Sequence, residues 1–398
     1  MTRLILCIAV TGVLLTGCWD SVELDRLAFT SATAVDYKDG KWLFSYQVVI
    51  PAVISSTSSA GGGKLPIAVY STQGTTIKDA VSRSQLESSR KLFFSHTRSI
   101  IISEAAANHG LSQLLDVYLR NLDSRETVSV FITEGESRRI LNQLIQLEVL
   151  PGEGIEDMIM GESSELSILP NVNMFKLGLS LLGTTKSAVL PEIIISGSPP
   201  VTTADELSKT ELSSKIKLRR LAVLSQDKLV GWLSQKEAFG TGFIRNEIHK
   251  AVIPFSCARG VREPDSTFQF LHSNTQLTPR KFGNRITIEV RVKGEGELLE
   301  TNCPIDFEKL NAEDEMEQQL EKEVEKMIIE SWQAIKKLKT DIVDFADLVH
   351  RKYPKDYERM KSEWQKEFVQ IEVVPKVDVK IRRVGLTMKS YKQQEEQK

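Results

Sequence analysis

Apolar positions along this chain fall into three patterns that follow one another in order. The first is a mainly apolar run of twelve residues from Leu4 to Leu15, preceded by Arg3 and followed by Thr16 and Gly17. That is too short to span a bilayer, which takes about 20 apolar residues. A basic start, an apolar middle and small closing residues fit a secretory leader.

The second pattern extends to residue 197 and alternates between periods of two and of three to four. "TSATAVDYKDGKWLFSYQVVIP" reads as a β-hairpin, with β-branched and aromatic residues in both arms and Asp39-Gly40 at the turn. "PIAVYS", "KLFFSH", "RSIIIS", "ETVSVFITEG" and "SAVLPEIIISGSPP" are further strands, the last expected to close the first half. "TTIKDAVSRSQLESS" places Ile77, Ala80, Val81 and Leu86 on one side of a helix. "GLSQLLDVYLRN", "SRRILNQLIQL" and "NVNMFKLGLSLLG" also read as helices. Such alternation argues for a layered α/β or α+β structure. "SSTSSAGGGK" is a flexible loop by composition, without the ending or the strand-to-helix setting of a phosphate-binding loop.

Residues 198–216 are polar and poor in large apolar residues, so a linker is expected there. Beyond it comes the third pattern. "LRRLAVLSQDKLVGWLS" is a hairpin turning at Gln226-Asp227, and "AVIPFSC", "TFQFLHSNTQLTPR" and "NRITIEVRVKGEGELLE" follow as strands. Their short connections predict antiparallel pairing. Leu310, Leu320, Val324, Met327, Ile328, Ile335 and Leu338 then form one face of a helix expected from Asp306 to about Leu338. Its acidic side, "NAEDEMEQQLEKEVEK", is read as solvated in preference to a coiled-coil surface. Two more helices lead to a last strand, "IEVVPKVDVKIRRVGLTM", expected to pair within the sheet opened by "LRRLAVLSQDKLVGWL". The fold class expected is α+β (mixed α/β) and multi-domain. The segments are a leader at 1–17, a first domain at 18–197, the linker, a second domain at 217–390 divisible near 300, and a polar tail at 391–398, with "SYKQQEEQK" from Ser390 expected to be dispensable.

Composition narrows the function. Of 398 residues, 41% are hydrophobic and 26% charged, ordinary for a folded globular chain. The net charge of −2 falls to −3 when Arg3 leaves with the leader, which gives no electrostatic reason to expect nucleic acid. No cofactor or metal is expected either. His96, His109, His249, His272 and His350 are scattered, none with another histidine or cysteine three or four residues away. His96, between two apolar strands, reads best as a strand-end residue satisfied by hydrogen bonds. There is no nucleophile elbow and no nucleotide fingerprint, so a non-enzymatic protein is expected. Arg83, Arg90, Lys91 and Arg98 fall in one short span that could meet anionic headgroups, although an evenly charged helix surface explains them as well.

The four cysteines are not equivalent. "LLTGC" resembles the lipobox of bacterial lipoproteins, in which the cysteine after the small residues is acylated and becomes the new N-terminus. That assigns lipidation to Cys18 and loses Cys7 with the leader. Thiolate is the best side-chain nucleophile near neutral pH, and two acyl chains suffice for stable anchoring. Cys257 and Cys303 remain, in a compartment that permits a disulfide; their spacing alone does not say whether they touch.

Several separated motifs carry a wider resemblance: "GCWDSVELDRLA", "FSHTRSIIISEAAANHGLSQLLDVYLRNLDSRE", "DKLVGWLSQKEAFGTGFI", "DIVDFADLVHRKYPKDYERMKSEWQKEF" and "VDVKIRRVGL". In this order and spacing the chain resembles the C-subunit lipoproteins of spore germinant receptors, the Ger(x)C family of spore-forming bacteria. One departure is Ala346-Asp347, where a glycine-containing turn is expected. The resemblance implies a non-catalytic lipoprotein on the outer face of the inner spore membrane, beside the A and B subunits of a germinant receptor. It implies a part in nutrient sensing, with a small-molecule germinant not necessarily bound by this subunit. A lipid-anchored solute-binding protein is the alternative; it would need two similar α/β lobes about a cleft, which the unlike halves fit poorly.

Overall fold

A computed structural model describes residues 23–55, 65–120, 125–257, 263–283, 285–308, 313–385 and 389–396. Leader, lipobox and most of the Ser/Gly-rich loop lie outside these. The first strands are β1 (Leu27–Lys38) and β2 (Lys41–Val49), joined by the expected tight turn. Asp39 and Gly40 both have positive φ, 52° and 73°, as a two-residue hairpin turn requires. β3 (Ile67–Gly74), β4 (Lys91–Phe93), β5 (Ser99–Ser103), β6 (Ser129–Thr133), β7 (Ser187–Gly197), β8 (Ser214–Ser225) and β9 (Lys228–Leu233) follow. Among the described residues these form one mixed sheet of order β3-β2-β1-β5-β6-β7-β8-β9, with β4 also paired to β1.

Between the strands lie α1 (Ile77–Arg83), α2 (Glu104–His109), α3 (Ser112–Arg120), α4 (Arg138–Asn142), α5 (Pro151–Glu165) and α6 (Met174–Leu182). α1, α2, α3 and α6 bury Ile77, Ala106, Leu114 and Leu177 against one face of the sheet. α4 and α5 cover the other with Ile140, Ile155 and Ile159. Several points differ from expectation, among them that α2 precedes Gly110, where a helix was expected only after it. The "SRRILNQLIQL" helix is a little over one turn. α5 was not expected at all, since "PGEGIEDMIMGESSE" lacks a clear apolar period; its Gly152 lies so close to the Ser31 carbonyl that a Cβ would stand 2.6 Å from the oxygen. And β7 does not close the sheet: β8 pairs antiparallel beside it and β9 beside β8, so the "LRRLAVLSQDKLVGWL" hairpin is part of the first sheet.

After β9 the chain forms α7 (Gln235–Ile244), another helix missed by period because it is buried nearly all round. Its sequence signal was the capping box "SQKE": Ser234 Oγ accepts from the Glu237 N–H, and Glu237 accepts from the Ser234 N–H at 2.7 Å. A second sheet has the order β10 (Ala251–Phe255), β11 (Ser266–Phe282), β12 (Arg285–Thr301) and β13 (Glu372–Arg383). β10, β11 and β12 pair antiparallel as expected. The crossover to β13 carries α8 (Asp314–Leu338), α9 (Phe345–Lys352), α10 (Pro354–Met360) and α11 (Trp364–Phe368). So long a helical return lets the last strand lie parallel to β12, not in the sheet of β8 and β9 where it was expected.

α8 begins eight residues later than expected and buries Leu320, Val324, Ile328 and Ile335. Its acidic side is not all solvated. Glu317 is buried and accepts from the Ile381 N–H (2.8 Å) and the Lys380 ammonium (2.6 Å), while Glu321 accepts from the Val379 N–H (3.1 Å). These carboxylates satisfy the outer edge of β13, which would otherwise invite another strand. Cys257 and Cys303 form a disulfide. The tail begins with a last helix, α12 (Tyr391–Glu396), whose preceding Ser390 is buried and donates to the Cys303 carbonyl.

Candidate functional site

Beside the first sheet, a cavity of about 160 Å³ opens between the α5–α6 connection and α7. Its wall at the first sheet is apolar, from Val189 and Leu221, and its mouth is polar, from Lys176, Arg245, Glu247 and His249. The connection is held by a carboxylate: Glu162 accepts from the N–H groups of Ile168 (2.8 Å) and Leu169 (3.0 Å). Burial pushes the Glu162 pKa up, against those two donors. Ser167 adopts φ 52°, and its hydroxyl accepts from the His249 N–H at 3.1 Å, tying the two sides of the mouth together.

Arg245 follows the last turn of α7 and is the most constrained charge here. It pairs with Glu247 at 2.9 Å and donates to the Ile342 carbonyl, while its buried Nε has no partner among the described residues. Burial works against the guanidinium charge, but the carboxylates of Glu247, Asp344 and Asp341 outweigh it and raise its pKa. Lys176 donates to the Asn171 carbonyl at 3.1 Å.

Behind Arg245 lies a turn centred on Asp341. Its carboxylate accepts from the N–H groups of Val343 (3.3 Å), Phe345 (3.0 Å) and Ala346 (2.8 Å) and from the Trp364 indole (3.0 Å). Burial pushes Asp341 up to about 6, opposed by those donors. The Ser187 hydroxyl of β7 donates to the Asp341 carbonyl at 2.5 Å, so first sheet, α7 and the helical crossover are fastened at one point. The left-handed positions of this turn are Lys339 (φ 52°) and Asp344 (φ 56°), and Ala346-Asp347 are already helical, which is why no glycine is needed there. The cavity can hold a small polar group against Arg245.

The residues singled out by sequence are not brought together. Cys18 lies outside the described residues. His96 packs among Phe29 and Phe93, ring centroids 5.3 and 5.7 Å away; His109 stacks on Tyr37 at 3.7 Å and His350 on Tyr357 at 4.7 Å. His249 is the one at the cavity, and His272 lies on β11. Cys257, Asp265 and Cys303 cluster, but the two sulfurs are bonded to each other and Asp265 caps the Cys257 N–H at 2.9 Å. In the basic stretch Arg83 pairs with Asp79 and Arg98 with Glu156, whereas Arg90 and Lys91 stay exposed. Arg245 and Asp341 were missed, because a single charge in a mixed sequence carries no sign of burial.

Comparison with known proteins agrees across nearly the whole chain. Residues 20–195 match the family described as spore germination protein N-terminal domain, and residues 219–385 match the spore germination B3/GerAC-like C-terminal family. Spore germination protein KC of Bacillus subtilis (strain 168) is 27% identical over 390 residues, 96% of this chain and 95% of its own. Spore germination protein B3 of the same organism is 22% identical, over 93% of this chain and 95% of its own. The crystal structure of the GerBC protein superposes with a TM-score of 0.57 at 16% identity, covering 91% of this chain and 100% of that one. This last likeness is one of fold.

Proposed function

The chain belongs to the GerAC-like family of spore germination proteins, and on that premise we propose that it is the lipid-anchored C subunit of a nutrient germinant receptor. The observation that carries this reading is one of position. The family match begins at residue 20, with only Trp19 between it and Cys18, the last residue of the "LLTGC" lipobox. An acylated Cys18 would thus be joined to the family's own N-terminal domain through Trp19 alone. No helix among the described residues is long and apolar enough to cross a membrane, so the acyl group is the attachment this reading supplies.

In this role the subunit works without catalysis, beside the receptor's A and B subunits, on the outer face of the inner spore membrane. The solute-binding alternative is disfavoured: the sheets differ in size and topology and form no pair of similar lobes. The test is Cys18→Ala in spores. Loss of the protein from the membrane fraction, together with loss of A and B subunits from material co-purified with it, is the expected result. Normal membrane retention and full germination would reject the reading.

A further inference from the structure

Helix α6 is apolar almost all round. Met174, Leu177 and Leu181 are buried beneath the sheet, while Phe175, Leu179 and Leu182 are 52%, 57% and 74% exposed. These three lie four and three residues apart, along one line of the helix. Leu119 of α3, a helix that packs beside α6, is likewise 65% exposed. A helix facing only water would carry polar residues there. A contiguous apolar surface of this kind marks a contact with membrane or protein.

Topology places the patch. β1, β5, β6 and β7 run parallel, so all four begin at one edge of the first sheet. α6 is fixed at that edge: the N–H groups of Met174 and Phe175 donate to the carbonyls of Val128 and Glu126, just before β6, both at 3.0 Å. Its last residue, Leu182, is five residues short of Ser187, where β7 starts. The chain also enters at this edge, through Glu23 and Leu24 ahead of β1. β1 and β7 are three strand spacings apart, about 14 Å. Cys18 precedes Glu23 by five residues, a reach of at most about 18 Å. With Cys18 acylated, this edge is therefore tethered close to the bilayer.

Charge points the same way. In sequence, α3, α6 and the residues that follow each of them carry Arg120, Arg125, Lys176 and Lys186 against Asp116, Asp123 and Glu126, four positive charges to three negative. An apolar stripe with a basic rim suits the headgroup layer of an anionic bilayer.

We propose that the outer face of α6, with Leu119, rests in the interface of an anionic lipid bilayer and so orients the anchored protein. This rests on the anchored reading of Cys18, and the test separates the two. The full chain is made with an environment-sensitive fluorophore on Leu179→Cys, or on Lys41→Cys at the opposite edge of the same sheet. Acylation is checked by intact mass, and the protein is reconstituted into phosphatidylglycerol-containing or pure phosphatidylcholine vesicles holding a lipid-borne quencher. Quenching at 179 is expected to exceed that at 41 by roughly threefold or more, and to be stronger with phosphatidylglycerol. A chain without the acyl mass contradicts the anchor alone. The Cys18→Ser chain then serves, and quenching at 179 on phosphatidylglycerol vesicles still upholds the α6 contact. Equal quenching at 179 and 41 on vesicle-bound protein overturns it. So does shielding of 179 that requires a co-purified protein and is absent with lipid alone.

Discussion

Arg220 on β8 forms a two-pronged ion pair with Glu192 on β7, with Nε and Nη2 each 2.8 Å from a carboxylate oxygen. Glu192 is fully buried, and the guanidinium also reaches Glu134 after β6 and lies 4.3 Å over the Trp232 ring of β9. Four successive elements of the sheet meet at this one cation. Glu192 and Glu134 raise the Arg220 pKa, and Arg220 holds Glu134 below the usual carboxylate range.

Removing one member of a buried ion pair strands the other. Glu192→Ala should cost about 3–5 kcal/mol in denaturant unfolding. The double change Glu192→Leu with Arg220→Leu should recover much of that loss. Equal loss in the single and double variants would mean that the pair contributes packing and not charge.

Gly240 is where α7 crosses α8. A Cβ there would stand 2.4 Å from the Met327 carbonyl oxygen and 2.1 Å from Ser331 Oγ. Gly240→Ala should therefore push the helices apart and cost about 1–3 kcal/mol, and Gly240→Val more. Gly161→Ala, where a Cβ would meet nothing within 4 Å, is the control and should be neutral or slightly stabilising.

Asp341 predicts a pH dependence. Its pKa is about 6 in the fold, above the ordinary 3.8, so the folded chain holds a proton that the unfolded chain has released. Its contribution to stability is present below about pH 4, declines as pH rises to about 6, and is lost above that. The span corresponds to about 3 kcal/mol at most. Asp341→Asn, neutral at every pH, should flatten the wild-type slope between pH 4 and 6, measured by denaturant melts across the range. An unchanged slope would assign that slope to other carboxylates.

Two truncations probe the carboxy-terminal end. Deleting 371–388 removes β13 with Val373, Val379 and Ile381 and exposes the carboxylates of Glu317 and Glu321. It should open β10–β12 and α8 to proteolysis while β1–β9 stay protected. Deleting 391–398 should be nearly silent, whereas extending the cut through Ser390 should cost about 1–2 kcal/mol, because the hydroxyl that serves the Cys303 carbonyl goes with it. Thermal melts that place the two shorter cuts together would show Ser390 to be idle.

Sequence by itself settled what depends on neighbours along the chain. The Asp39-Gly40 and Gln226-Asp227 turns, the strands from "RSIIIS" to "VDVKIRRVGL" and the buried stripe of α8 follow from local turn chemistry and period, which report the face each segment buries. Family membership was legible for a similar reason, since motif order is itself linear. Tertiary structure decided what each segment buries itself against. An alternating strand such as "VDVKI" satisfies any sheet, and only the length and packing of the crossover set it parallel to β12 instead of beside β8. The buried carboxylates Glu192, Glu317 and Asp341 look in sequence like any others among 53 acidic residues; their burial is imposed by an arginine on the next strand, a strand edge and a tight turn. The cavity beside Arg245 was equally hidden, because its lining comes from α6, β7, α7 and the connections between them, distant along the chain until α7 packs on the first sheet.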